Sequence, residues 1–281
     1  MNRALPGCAG ALAFACLAAT ASAAGGFPQG VQQGSLVVGE IGAGGTATVA
    51  GRELTPTADG HVVFGVGRDA QGPVQVEVRH ADGRRERISI DVAPRDWPVE
   101  RVDGVPPATV EPPPALAARI AREQARVAAA READVPREDF LARFTWPVRG
   151  RISGRFGNQR IYNGKAGTPH SGMDIAVPAG TPVRAPVGGV VTFADADLYL
   201  TGGTVLLDHG HGVSSNFLHL SRLDVKVGDR VVQGQVIGAA GQSGRASGPH
   251  LHWGLTWFTT RLDPLLLPGI DPQGNGPRGA P

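Results

Sequence analysis

The sequence predicts a mainly β chain with a small N-terminal β domain, one connecting helix and a larger C-terminal antiparallel β-sheet. Three observations predict it. Short runs alternate apolar and polar residues, as in Val74, Val76, Val78 and again in Ile88, Ile90, Val92. Glycine-marked turns separate such runs, with 41 glycines in 281 residues. A single stretch rich in alanine, arginine and glutamate, Ala115 to about Ala133, has the composition of a helix. The length allows roughly two domains of about 100 to 200 residues each. A net charge of +2 and a pI near 8.8 would suit almost any solvated surface and exclude little.

Residues 1–23 read as an export signal: Arg3 supplies the positive start, Ala9 to Ala18 the apolar centre, and Ala21-Ser22-Ala23 the small-residue cleavage site. The apolar run is too short to span a bilayer. No integral membrane segment is therefore expected after cleavage. Cys8 and Cys16 both lie inside this segment, so a chain cut after Ala23 has neither disulfide nor free thiol. Lipid attachment at Cys16 is the competing reading, and the bulky Phe14 near it argues against that.

Residues 27–100 read as the small β domain. Leu36-Val37-Val38 and Val62-Val63-Phe64 supply strands beside the two alternating runs, with turns at Ala58-Asp59-Gly60 and Ala81-Asp82-Gly83. It shows no chemistry, and His61 and His80 read as solvated. In residues 101–143, Val105-Pro106-Pro107 and Pro112-Pro113-Pro114 bound an extended, stiff linker. The helix follows, with Pro114 where a first-turn proline is tolerated and Pro136 ending it. Leu116, Ile120 and Val127 share one face and should pack on a neighbouring domain. Residues 144–268 hold strands near 187–193, 203–208, 213–219 and 231–238, and 269–281 read as a flexible tail. With a proline-rich linker before it, a fragment from Phe144 onward is expected to fold alone.

Chemistry concentrates in that last region. Six of the eight histidines, His170, His209, His211, His219, His250 and His252, fall between positions 170 and 252. In Gly248-Pro249-His250-Leu251-His252-Trp253 an extended strand puts His250 and His252 on one side and Leu251 on the other. Upstream, Pro169-His170-Ser171-Gly172-Met173-Asp174 sets a histidine and a carboxylate four residues apart on a turn entering a strand. Imidazole nitrogen and carboxylate oxygen are ligands that zinc accepts, and a catalytic zinc keeps three protein ligands and one open position. His170, Asp174 and one histidine of the 250/252 pair make that set. His209 and His211 read as turn residues, and Trp253, Trp257 and Phe258 as groove-lining or buried.

Six pieces of residues 146–268 carry a family resemblance. They are Gly150 to Gly157, His170 to Asp174, Gly180 to Pro186, Phe217-Leu218-His219-Leu220, Gly234-Gln235-Val236-Ile237-Gly238 and Ser247 to His252. In this order the segment resembles the catalytic domain of lysostaphin-type (LytM-like) zinc metallopeptidases, which cut peptide cross-links of bacterial peptidoglycan. The resemblance implies a β-sheet groove with one Zn2+ per chain on its floor, held by His170, Asp174 and His252. It implies His219 and His250 as the catalytic histidines and a metal-activated water as the nucleophile. The implied partner is the peptide stem of peptidoglycan, with no nucleic acid; a two-domain exported chain without cysteines in its mature form points to the periplasm, with secretion as the alternative. Other readings are a non-catalytic wall-binding or amidase-activating protein on the same scaffold, and a zinc D,D-carboxypeptidase.

Overall fold

The computed structural model describes residues 26–104 and 107–271. The predicted export signal and most of the predicted tail lie outside these residues. The N-terminal strands are β1 (Gly30–Gln32), β2 (Leu36–Glu40), β3 (Thr46–Val49), β4 (Arg52–Leu54), β5 (His61–Gly65), β6 (Val74–Arg79) and β7 (Arg85–Ala93). They form a five-stranded sheet in the order β1-β7-β6-β3-β4 and a separate β2-β5 pair. The β6-β7 hairpin turns where Ala81-Asp82-Gly83 places it, and its inward residues Val76, Val78, Ile88 and Ile90 are buried.

Strand β8 (Val99–Val102) follows, then one helical turn, α1 (Pro107–Val110), and the connecting helix α2 (Pro114–Ala129). Helix α2 starts on Pro114, where the missing amide proton costs nothing. It ends at Ala129, capped by Ala130, a turn before the expected Ala133. Val127 packs beside Phe193, Leu198 and Leu206 of the C-terminal sheet, as the apolar stripe predicts. Arg126 pairs with Asp195, and Arg119 with Asp197, so the helix is fixed to that sheet at both charge and apolar contacts.

The C-terminal strands are β9 (Arg151–Gly154), β10 (Gln159–Tyr162), β11 (Lys165–Ala166), β12 (Met173–Ala176), β13 (Pro182–Arg184) and β14 (Gly189–Leu198). They continue with β15 (Gly202–Gly210), β16 (Val213–Leu223), β17 (Arg230–Val231), β18 (Val236–Ala240), β19 (His250–Trp257) and β20 (Thr260–Leu262). The main path runs β17-β14-β15-β16-β19-β12-β9, antiparallel throughout. The fold class is the predicted one. Among the described residues, no helix is long and apolar enough to cross a membrane.

Two features of the assembly were not visible in the sequence. First, the two halves share one apolar core, in which Val62, Phe64 and Val66 are continuous with Trp257, Leu262 and Leu265. Polar contacts reinforce it: Arg95 pairs with the buried Asp263 at 2.8 Å, and Arg68 donates to the Gly157 carbonyl at 2.7 Å. Second, strand β8 crosses the expected 100/101 boundary and pairs in parallel with β10, extending a three-stranded β11-β10-β8 sheet. Residues on both sides of that boundary thus form one strand that pairs with the C-terminal half. Of the predicted tail, Ile270 is buried and its amide donates to the Leu267 carbonyl.

Candidate metal centre

Three neighbouring strands build the centre. β12 and β19 are antiparallel with Asp174 opposite His252 and Ala176 opposite His250. Directly opposed residues point to the same face of a sheet, so the carboxylate and both imidazoles emerge together. Leu251 and Trp253 point the other way into the core and are fully buried. His170 enters from the turn before β12. Its Nδ1 proton is donated to the Arg155 carbonyl at 3.0 Å, which leaves Nε2 as a lone-pair donor facing the cluster.

His170 Nε2 lies 3.1 Å from Asp174 Oδ1 and 3.1 Å from His252 Nδ1, and Asp174 Oδ1 lies 2.8 Å from His252 Nδ1. These three residues are buried and form a set able to hold a metal ion. A lone pair of His170 and a carboxylate oxygen in contact repel unless a cation sits between or beside them. Four tetrahedral ligands at zinc's usual bond lengths stand about 3.3 Å apart, close to the separations here. The donor set therefore fits zinc. His252 Nε2 is buried without a hydrogen-bond partner, so the ring's polar work is concentrated at Nδ1.

The electrostatics agree. Burial alone would raise the Asp174 carboxyl, but the imidazoles of His170 and His252 close beside it hold it well below the usual carboxylate range. Burial pushes His252 down to about 3, against the raising effect of Asp174, so its imidazole is neutral and its lone pair available. Position 172 has to be glycine, because a Cβ there would meet the Trp253 carbonyl at 2.5 Å and His252 Nε2 at 2.7 Å.

His219 and His250 flank the cluster, their ring centroids 4.7 Å apart. His250 donates Nδ1–H to the Gly248 carbonyl at 2.8 Å and turns Nε2 toward Asp174 Oδ1 at 3.7 Å. His219 donates Nδ1–H to the Ser243 carbonyl at 2.8 Å, and burial lowers it to about 4. Both rings thus present an unprotonated Nε2. Strict period-two alternation along Phe217-Leu218-His219 would put His219 on the face of Phe217. Phe217 opposes Trp253 in the core, and Leu218 opposes His252 on the site face. His219 reaches the site only because its φ of 62° breaks the alternation. Such a conformation in a non-glycine residue costs of order 1–3 kcal/mol and is retained where the surroundings require it.

The remaining histidines of the cluster in sequence are structural. His209 is fully buried, bonded to the Gly188 carbonyl at 2.7 Å and to Ser215 Oγ at 2.9 Å. His211 donates to the Thr55 carbonyl of the N-terminal domain at 2.9 Å. Trp253, Trp257 and Phe258 are all buried, so none lines an open groove. His80 is partnered by Glu86 at 2.9 Å rather than free in solvent.

Burial pushes His209 down to about 4, against 6.5 for a free imidazole. The unfolded chain binds this proton below pH 6.5 and the folded chain does not until about pH 4. Stability contributed by His209 is therefore fully present above pH 6.5 and lost as pH falls toward 4, by about 3 kcal/mol. Denaturant midpoints measured from pH 7 to pH 4 should fall accordingly. His209→Gln should flatten that slope, and an unchanged slope would show that His209 titrates normally.

An antiparallel β-sheet carrying a buried two-histidine, one-carboxylate set, with two further histidines beside it, defines a metal-site protein of the metallohydrolase kind. Residues 168–264 match the model of Peptidase family M23. The structure is similar to that of an M23-family protein from Pseudomonas aeruginosa, with 34% identity and a TM-score of 0.65 over 83% of this chain and 93% of that one. Among curated proteins it is 42% identical over 113 residues to the peptidoglycan DD-endopeptidase ShyA of Vibrio cholerae, 39% of this chain and 26% of that protein. It is 44% identical over 84 residues to the DD-carboxypeptidase/endopeptidase Mpg of Neisseria meningitidis, 30% of this chain and 19% of that protein. The matches thus span about a quarter or less of these curated relatives. The chain belongs to Peptidase family M23, in agreement with the lysostaphin-type resemblance of its six motifs.

Proposed function

We infer that the chain is an exported zinc endopeptidase that hydrolyses peptide cross-links of bacterial peptidoglycan, with the periplasm as its site of action. The convergence of His170 Nε2, Asp174 Oδ1 and His252 Nδ1 within about 3 Å of one another carries the reading. Zinc bound by these three atoms would lower the pKa of a water molecule toward 7 and polarise a scissile carbonyl.

The chain's own residues supply the rest. His250 and His219, each with Nδ1–H committed to a backbone carbonyl, offer Nε2 to accept a proton. They can then deliver it to the leaving amine, and in protonated form stabilise the developing oxyanion. Asp174 keeps one oxygen, Oδ2, outside the ligand cluster and bonded to Arg160 at 2.9 Å, which fixes the carboxylate plane. No serine or cysteine nucleophile is required.

The bond proposed is the one joining D-alanine to diaminopimelate, in keeping with a relative named as a DD-endopeptidase. The similarity to a protein named DD-carboxypeptidase/endopeptidase favours terminal D-alanine release as a second activity. Incubating the purified protein with sacculi and resolving the muropeptides by mass spectrometry tests both. Conversion of cross-linked dimers to monomers, abolished by a chelator, is the expected result. Free alanine alone identifies a carboxypeptidase, and unaltered muropeptides with zinc bound would support the non-catalytic alternative.

A further inference from the structure

Glu100 lies outside the six family motifs, at the very end of the stretch the sequence presents as the N-terminal β domain, yet it is wired to the metal cluster. In the parallel β8-β10 pair it stands opposite Arg160. Its Oε2 lies 3.3 Å from Arg160 Nε, and its Oε1 accepts from Asn158 Nδ2 at 2.6 Å. Arg160 in turn donates to Asp174 Oδ2 at 2.9 Å, while Asp174 Oδ1 is the oxygen inside the cluster. All three side chains are largely shielded, with exposures of 30% for Glu100, 21% for Arg160 and 11% for Asp174.

The segment that carries Glu100 is itself anchored. Trp97 packs edge-on against Phe156 with centroids 5.8 Å apart and donates to Gln33 Oε1 at 3.1 Å. It fills the space above Gly157, where a Cβ would come within 2.0 Å of the ring. Gly157 and Asn158 form the loop that holds His170, by bonds from Gly157 N to the His170 carbonyl and from His170 N to the Asn158 carbonyl, both 2.9 Å.

We propose that Glu100 is a positioning residue through which the strand leading out of the N-terminal domain sets the affinity of the His170, Asp174, His252 centre for its metal. This rests on the metal-binding reading above. Two effects act together. Glu100 pins the guanidinium so that Arg160 orients Asp174, and its charge offsets a cation that would otherwise oppose a divalent ion a few ångströms away. Groups that hold a metal's ligands in place are typically worth ten- to a hundredfold in affinity.

The full-length protein tests it, with zinc affinity measured by competition against a chromophoric chelator and ligand geometry by the visible spectrum of the cobalt(II) form. Glu100→Ala should weaken zinc binding about ten- to a hundredfold and alter the cobalt spectrum, with Glu100→Asp restoring part of both. Arg101→Ala, on the same strand and exposed, should leave both unchanged. Zinc affinity of Glu100→Ala within twofold of the unaltered chain, or an equal loss in Arg101→Ala, overturns the proposal while His252→Ala still reports on the metal site. Absence of zinc from the unaltered chain would overturn the metal-binding reading and this proposal together.

Discussion

Alanine at His170 or His252 is expected to abolish zinc binding and hydrolysis together, whereas alanine at His219 or His250 should retain zinc and lose turnover. Removing either ligand leaves two protein donors and takes away an imidazole in direct contact with the Asp174 carboxylate. A metal that binds only the folded state stabilises it, by about 4 kcal/mol at a thousandfold excess over the dissociation constant. Zinc should therefore raise the unfolding temperature of the unaltered chain and have little effect on the two ligand variants.

The flanking histidines contact the cluster from the side, and His250 stands 3.7 Å from Asp174 Oδ1 without replacing any ligand. A positioned acid or base contributes roughly a hundred- to ten-thousandfold in rate, and that is the loss expected for His219→Ala and His250→Ala. Metal content and turnover measured side by side on the four variants decide the assignment. Zinc lost from His250→Ala and kept in His252→Ala would reverse it.

The sequence made the ligand pair legible because both signals are local. Period-two spacing puts His250 and His252 on one face, and the turn before β12 aims His170 and Asp174 the same way. That His252 rather than His250 joins the candidate ligand set is not a local signal: it depends on the register that sets Asp174 opposite His252. The same period-two rule would put His219 on the core face with Phe217, since nothing in Phe217-Leu218-His219-Leu220 announces a left-handed residue. Strand β8 was hidden for another reason. Val99-Glu100-Arg101-Val102 has no alternating face of its own, because it pairs at a sheet edge beside a proline-rich stretch. The joint between the two halves was equally silent, since it is made by contacts as distant as Gly34 with Asp263 and Gly65 with Leu262.

That joint changes what is expected of a truncated chain. The proline-rich stretch suggested that residues 144–281 would fold and work alone, but the structure predicts that this fragment will be less stable, poorly soluble and at least tenfold less active. Cutting at 144 removes β8 with Glu100, the Trp97 brace over the His170 loop, and the Phe64 side chain that closes the core over Trp257 and Leu262. It also removes Phe140, which is buried, and the ion pairs of Arg137 with Asp208 and of Asp139 with Arg230. Each large aromatic side chain covers about 150–250 Å², and at about 25 cal/mol per Å² their loss amounts to several kcal/mol, a large part of a domain's total stability. A fragment beginning at residue 95 restores Trp97, Glu100, helix α2 and Phe140 while still lacking the N-terminal sheets. Zinc affinity and hydrolysis should recover in it more than stability does, because the metal-site supports return while Phe64 and its neighbours do not. Size-exclusion profiles, thermal unfolding and zinc titration of the two fragments against the full chain read this out. A fragment from 144 as stable and as active as the whole protein would show that the N-terminal half contributes nothing to the site.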